Sequence, residues 1–158
     1  MAVQYLEDLT PGQRFQTGVH QLDADQIKAF ASEFDPQPFH MDETAAQDSI
    51  FRGLSASGWH TAALTMKLLA TGEFRPAGGF IGAGIEEFQW PRPVRPDDAL
   101  SVELEILDVR VSKSKPQQGI VKARCTTLNQ NNEPVQRYVI NMVVQRRPSD
   151  IGYPEASS

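Results

Sequence analysis

The sequence predicts an α+β fold in which one buried helix is wrapped by a curved antiparallel sheet. Three observations carry that reading. The helical periodicities all fall before Gly79, and the pattern then turns to period two and stays there. One helix, Trp59 to Thr71, is apolar on more than one side, as a helix lying in the curve of a sheet would be. A chain of 158 residues, with 40% hydrophobic and 22% charged side chains, suits a single domain with one core. Residues 1–147 are read as that domain, and 148–158, rich in Pro, Ser and Gly, as a flexible tail.

The elements follow in order. Thr10-Pro11-Gly12 marks a turn, and a short strand is expected from Gln13 to about His20. Asp23 and Gln26 have the spacing of a capping box, and Ile27, Phe30, Ala31 and Phe34 then recur on one helical face until Pro36 stops the helix. Asp42 can cap a second short helix through about Gln47, and residues 48–58 read as loop. In the long helix, Trp59, Ala62, Ala63, Met66, Leu69 and Ala70 line one side, Leu64 and Leu68 another, and Gly72 is the stop. Phe80–Trp90 is one strand, with Gly82 and Gly84 marking a bend and Pro91, Pro93 and Pro96 its end. Leu100, Val102, Leu104 and Ile106 alternate with polar residues, as do Val121, Ala123 and Cys125 within Gly119–Leu128. The polar stretch Asn129–Pro134 then turns the chain into a last strand, Val135–Gln145.

Charge and cysteine usage narrow the function. A net charge of −5 argues against nucleic acid or an anionic membrane surface as a partner. No apolar run approaches a membrane span, and Met1–Tyr5 lacks a basic stretch followed by an apolar one. The lone Cys125 forms no internal disulfide and reads as a buried thiol in a strand. The expected compartment is the cytoplasm.

The chemistry concentrates in Asp35-Pro36-Gln37-Pro38-Phe39-His40. Each proline fixes its own φ and pushes the preceding residue towards extended backbone. A carboxylate and an imidazole thus sit five residues apart on a stiff segment. Aspartate and histidine, with reference pKa values of about 3.9 and 6.5, are suited to proton transfer near neutrality. Asp35, His40 and Asp42 match no strong metal-ligand spacing, so no metal is expected.

Phe30–Asp42, with its Asp35-Pro36-Gln37-Pro38 and His40-Met41-Asp42, is similar to a hydratase motif in which Asp is followed by Asn-Pro and then His-x-Asp. Ser57-Gly58-Trp59 opens the long helix where that family usually reads His-Gly-Met, and Phe88–Val94 is similar to its "F-x-x-P-V" region. The chain resembles the MaoC-like dehydratase family, the (R)-specific enoyl-CoA hydratases of the hotdog fold, from Tyr5 to about Arg147. Two positions depart from the pattern: Gln37 stands for the usual Asn and Ser57 for the usual His. Some hydratases also carry a serine further along the helix, where Thr61, Thr65 and Met66 lie here.

The resemblance implies that Asp35 and His40 hold a water and add it across a trans-2-enoyl thioester. It leaves open which of the two is the base. Gly58, with Ser57 and Trp59, would bind the thioester oxygen at the helix N-terminus. Gln37 and Asp42 would support the pair, Asp42 chiefly as a helix cap. His20 reads as structural or exposed, and His60 as a satisfied polar contact close to the oxyanion region. Arg92, Arg95, Lys113 and Lys115 are candidates for the phosphates of coenzyme A, which enters as part of the substrate; no separate cofactor is implied. Phe39, Phe51, Trp59 and Phe80 would set pocket depth. A sheet edge and a half-open pocket imply a homodimer or a higher assembly of dimers. The competing readings are a non-catalytic acyl-CoA binding protein and a hotdog thioesterase. Thioesterases of that fold commonly carry an acidic residue on the central helix, and Trp59–Thr71 has none.

Overall fold

The computed structural model describes residues 2–151. Six strands and four α-helices alternate little. Strands β1 (Arg14–Gln16) and β2 (His20–Gln21) precede helices α1 (Ala24–Phe34), α2 (Pro38–Met41), α3 (Glu43–Gln47) and α4 (Gly58–Ala70). Strands β3 (Ile81–Gln89), β4 (Ala99–Val111), β5 (Gln118–Leu128) and β6 (Pro134–Gln145) complete the chain. The sheet order is β1-β4-β5-β6-β3, all antiparallel, with β2 also pairing to β4. The α+β architecture is therefore the one the periodicities predict. Helix α4 lies in the concave side of the sheet.

Local chemistry explains the boundaries. The Asp23 carboxylate caps α1 by accepting from the Gln26 N–H at 2.8 Å, and Pro36 forbids continuation past Asp35. Strand β3 is irregular at Gly82/Gly84 and again at Glu86/Gln89, where Glu87 takes a left-handed φ of 54°. Such bulges bend a strand and sharpen its twist. Leu100, Leu104, Ile106, Val121, Ala123 and Met142 fill the core from the sheet, and Leu64, Leu68 and Leu69 meet them from α4.

The structure bears out some expectations and corrects others. The strand foreseen from Gln13 to His20 is broken between Gln16 and His20, and its two pieces pair with different parts of β4. The Asp35–His40 segment interrupts the helix as expected. Gln37 is extended, but Pro38 then serves as the first residue of α2, which carries His40; a proline at that position loses no hydrogen bond. Within the expected tail, Pro148–Ile151 form a short 3-10 helix, and the rest of it lies outside the described residues. Finally, the buried face of α4 is His60, Thr61, Leu64, Thr65, Leu68 and Leu69. Of the apolar side read as Trp59, Ala62, Ala63, Met66, Leu69 and Ala70, Leu69 is buried, but Trp59 is 62% and Met66 39% exposed. Periodicity locates an apolar stripe but does not say what covers it.

Candidate active site

The site is assembled where α1, α2 and the N-terminus of α4 converge. Asp35 ends α1 in a conformation outside both regular regions (φ −153°, ψ 68°). Helix α2 then turns the chain so that His40 points back at it, with Nε2 of His40 3.3 Å from Oδ2 of Asp35. His40 is buried. Its Nδ1 donates to the Ser55 carbonyl at 2.6 Å, and the Ser55 N–H donates back to the Phe39 carbonyl at 3.3 Å. A carbonyl accepts only, so Nδ1 carries a proton, and Nε2 is the ring nitrogen that faces Asp35 and the cavity.

The two departures from the family motif meet on Asp35. Gln37 Nε2 donates to Oδ1 at 2.7 Å, and Ser57 Oγ donates to Oδ2 at 2.7 Å. Partial burial acts to raise the Asp35 pKa. The hydrogen bonds from Gln37 and Ser57, with His40 nearby, outweigh it and hold the carboxyl below its ordinary value. Ser57 also caps α4, its Oγ accepting from the Trp59 N–H at 3.2 Å. It is fully buried. Ser57, expected to bind substrate, bonds Asp35 and caps the helix end.

Asp35, Gln37, Phe39, His40, Phe51 and Trp59 share a cavity of about 410 Å³ with Gly58, Thr61, Trp90 and Arg92. Phe39, Phe51, Trp59 and Trp90 give it aromatic surface. The Gly58 amide, first of α4, has no hydrogen-bond partner among the described residues and stands at the positive end of the helix dipole. Trp90 packs against Gly58, so close that a Cβ there would come within 2.5 Å of the indole. Phe80 is not in this cavity; it packs edge-on against Phe74 and borders a second one.

The remaining expected residues scatter. Asp42 caps α3 by accepting from the Ala45 N–H at 2.9 Å and bonds to neither Asp35 nor His40. Arg92 is at the cavity rim, ion-paired with Glu133. Arg95, a candidate phosphate contact, is used internally: its guanidinium donates to the Gly53 carbonyl at 2.8 Å and to that of Phe51. Lys113 and Lys115 sit in the turn between β4 and β5. That turn is some ten residues along the sheet from the cavity end, roughly 30 Å at strand rise. Neither lysine reaches the cavity of its own chain. His20 bonds Gln26 at 2.9 Å. His60 stacks on Phe30 with ring centroids 4.5 Å apart, and its Nδ1 is buried without a partner. The satisfied polar contact expected for His60 is not formed: the ring is held by stacking and its Nδ1 has no partner among the described residues. Burial, and secondarily His20, push its pKa down to about 4. Burial pushes the Cys125 thiol up to about 12, so it is unreactive, as the strand pattern implied.

Sequence reasoning missed Ser55 and Gln136. Ser55 acts through its backbone carbonyl, which leaves no side-chain signal, and Gln136 holds Trp90 from a strand that reads as core.

Residues 8–129 match the profile of the MaoC-like domain. The chain belongs to the MaoC-like family. A crystal structure of a MaoC-like dehydratase from Rhodospirillum rubrum is 54% identical, with a TM-score of 0.89 over 92% of this chain and 99% of that one. YdeM of Bacillus subtilis (strain 168) is 33% identical over 141 residues, 89% of this chain and 99% of that protein. The (R)-hydratase PhaJ1 of Pseudomonas aeruginosa, in its unliganded form, shares the fold at 24% identity and a TM-score of 0.69, over 90% of this chain and 86% of that one. The MaoC-like domain here is thus a single hotdog fold. Among its described residues no group of three or more His, Cys, Asp or Glu is placed to hold a metal ion, and no helix is long and apolar enough to cross a membrane.

Proposed function

We propose that this MaoC-like protein is an (R)-specific enoyl-CoA hydratase, or 3-hydroxyacyl-CoA dehydratase in the reverse direction. The observation that carries the reading is the Asp35–His40 pair, 3.3 Å apart in an aromatic cavity beside an unpartnered helix-N-terminal amide. Asp35 is a weak base because Gln37, Ser57 and His40 favour its ionised form. His40 Nε2 is therefore the group that takes the water proton, while Asp35 orients the water and stabilises the imidazolium. The hydroxyl adds to C3 of the enoyl thioester. The proton on Nε2 passes to C2, which returns the ring to its starting state and balances the addition. Between these events negative charge collects on the thioester oxygen, where the Gly58 N–H would meet it. A single donor of that kind is typically worth about 2.7–4 kcal/mol of barrier. Positioned acid–base help adds roughly 10²–10⁴ in rate.

Arg92 is the one expected basic residue at the rim of this cavity, and exchanging Glu133 for a phosphate of coenzyme A would keep it paired. The open side of α4 and the exposed β3, with Ile81 48% and Ile85 53% accessible, are the surfaces a second copy would cover. The expected assembly is a homodimer or a higher assembly of dimers. Crotonyl-CoA tests the activity: loss of the enoyl-thioester absorbance with an (R)-3-hydroxyacyl product supports it. Release of free thiol without hydration would mean a thioesterase. Binding without any turnover would mean an acyl-CoA binding protein.

A further inference from the structure

Behind the catalytic cavity, a row of polar side chains ties α4 to the sheet. Trp90 Nε1 donates to Gln136 Oε1 at 3.0 Å, and Gln136 Nε2 donates to Thr65 Oγ1 at 3.0 Å. Thr65 and Thr127 share a hydrogen bond of 2.6 Å, and the Thr65 hydroxyl donates to the Thr61 carbonyl at 2.8 Å. With Thr127 donating to Thr65, each polar atom named in the row has a partner. Gln136, Thr65 and Thr127 are fully buried.

Along α4 and β6 the row lies between residues that border two spaces. On one side lies the catalytic cavity, bordered by Trp90, Thr61 and Val135. On the other is an apolar cavity of about 170 Å³, bordered by Met66, Leu69, Phe80, Cys125, Tyr138 and Ile140. The strand register fixes this order. Thr127 pairs with Gln136, and the next pair on the same face is Cys125 with Tyr138, about 7 Å further along.

We infer that Gln136, with the Trp90 indole it holds over Gly58, is a wall that limits the acyl group to a short chain. The inference rests on the function proposed above and names the substrate class of that site. An aliphatic wall gives way by rotating a methyl group. This one gives way only by separating hydrogen bonds in a buried place, which leaves donors and acceptors unpaired. A chain that ends before the wall meets aromatic surface; a longer one meets the Gln136–Trp90 pair. The apolar space beyond is where extra methylenes would go if the wall were opened.

The test is calorimetric titration of the full-length protein with butyryl-, hexanoyl-, octanoyl- and decanoyl-CoA. These saturated thioesters cannot be hydrated, so affinity is read apart from turnover. Wild type should bind the short members and lose roughly ten-fold or more in Kd at the length that reaches the wall. Gln136→Ala, and independently Trp90→Phe, should move that limit to a longer chain. Trp90→Phe keeps an aromatic ring, so it serves if Gln136→Ala does not fold. An even affinity across the series in wild type, or folded variants that keep the wild-type limit, would overturn the wall. Failure of wild type to bind any of the four would overturn the proposed function, and the wall with it.

Discussion

At Asp35 a carboxylate is held by two donors that the family motif would not lead one to expect. Ser57→Ala removes the donor to Oδ2 and Gln37→Ala the donor to Oδ1. Each favours the ionised form, so losing either lets burial raise the Asp35 pKa. The Asp35 carboxyl should titrate at higher pH in each variant, and an NMR pH titration of that carboxyl reads it. His60 gives a second pH effect, on stability. Its pKa is about 4 in the folded chain and near 6.5 when unfolded. Between those values the unfolded chain binds a proton that the folded chain does not, so stability falls as the pH is lowered through the window. The loss is up to roughly 1.4 kcal/mol per pKa unit. His60→Phe keeps the ring against Phe30 and should flatten the curve of unfolding free energy against pH over that range. The Asp35–His40 spacing was plain in the sequence because it is local. The Ser57 bond to Asp35 spans 22 positions, so the sequence offers Ser57 only as an odd residue where the motif has His.

Among the elements, α4 carries the densest constraints. Its N-terminus must stay open to the cavity, and Trp90 covers Gly58 within contact of where a side chain would begin. Gly58→Ala should therefore lower stability by roughly 1–3 kcal/mol, the usual range for overpacking, and should shift Trp90; chemical denaturation measures the first and tryptophan fluorescence the second. The extent of α4 was legible from its caps and its apolar spacing. Its orientation was not. Thr61 and Thr65 look polar in sequence, yet both are buried. A threonine hydroxyl can return its proton to the carbonyl four residues back, as Thr65 does, and then pack as a small apolar group. Trp59 and Met66 look like core and stand open. Hydropathy does not distinguish a face turned to the sheet from one turned to another chain.

For the molecule as a whole, that open face and β3 set the expected assembly. Sedimentation should give twice the 17.5 kDa chain mass, and Ile85→Lys, on the exposed part of β3, should shift the protein towards monomer. A wild type that sediments as a monomer at micromolar concentration would contradict the dimer. The α+β layout was readable from the change of period after Gly79, since strand alternation is dictated by one buried face. The tertiary roles of basic residues were not readable. Arg95 is spent on the carbonyls of the 51–53 loop, and Lys113 and Lys115 lie at the far end of the sheet, because a charge in a turn has the same sequence signature wherever the turn points. The most direct measurement follows the enoyl-thioester absorbance of crotonyl-CoA with wild type, Asp35→Asn and His40→Gln side by side, each checked for folding by its circular dichroism. Hydration by wild type, with a fall of roughly 10² or more in both variants, is the predicted result. Hydration that persists in folded Asp35→Asn and His40→Gln would contradict the account.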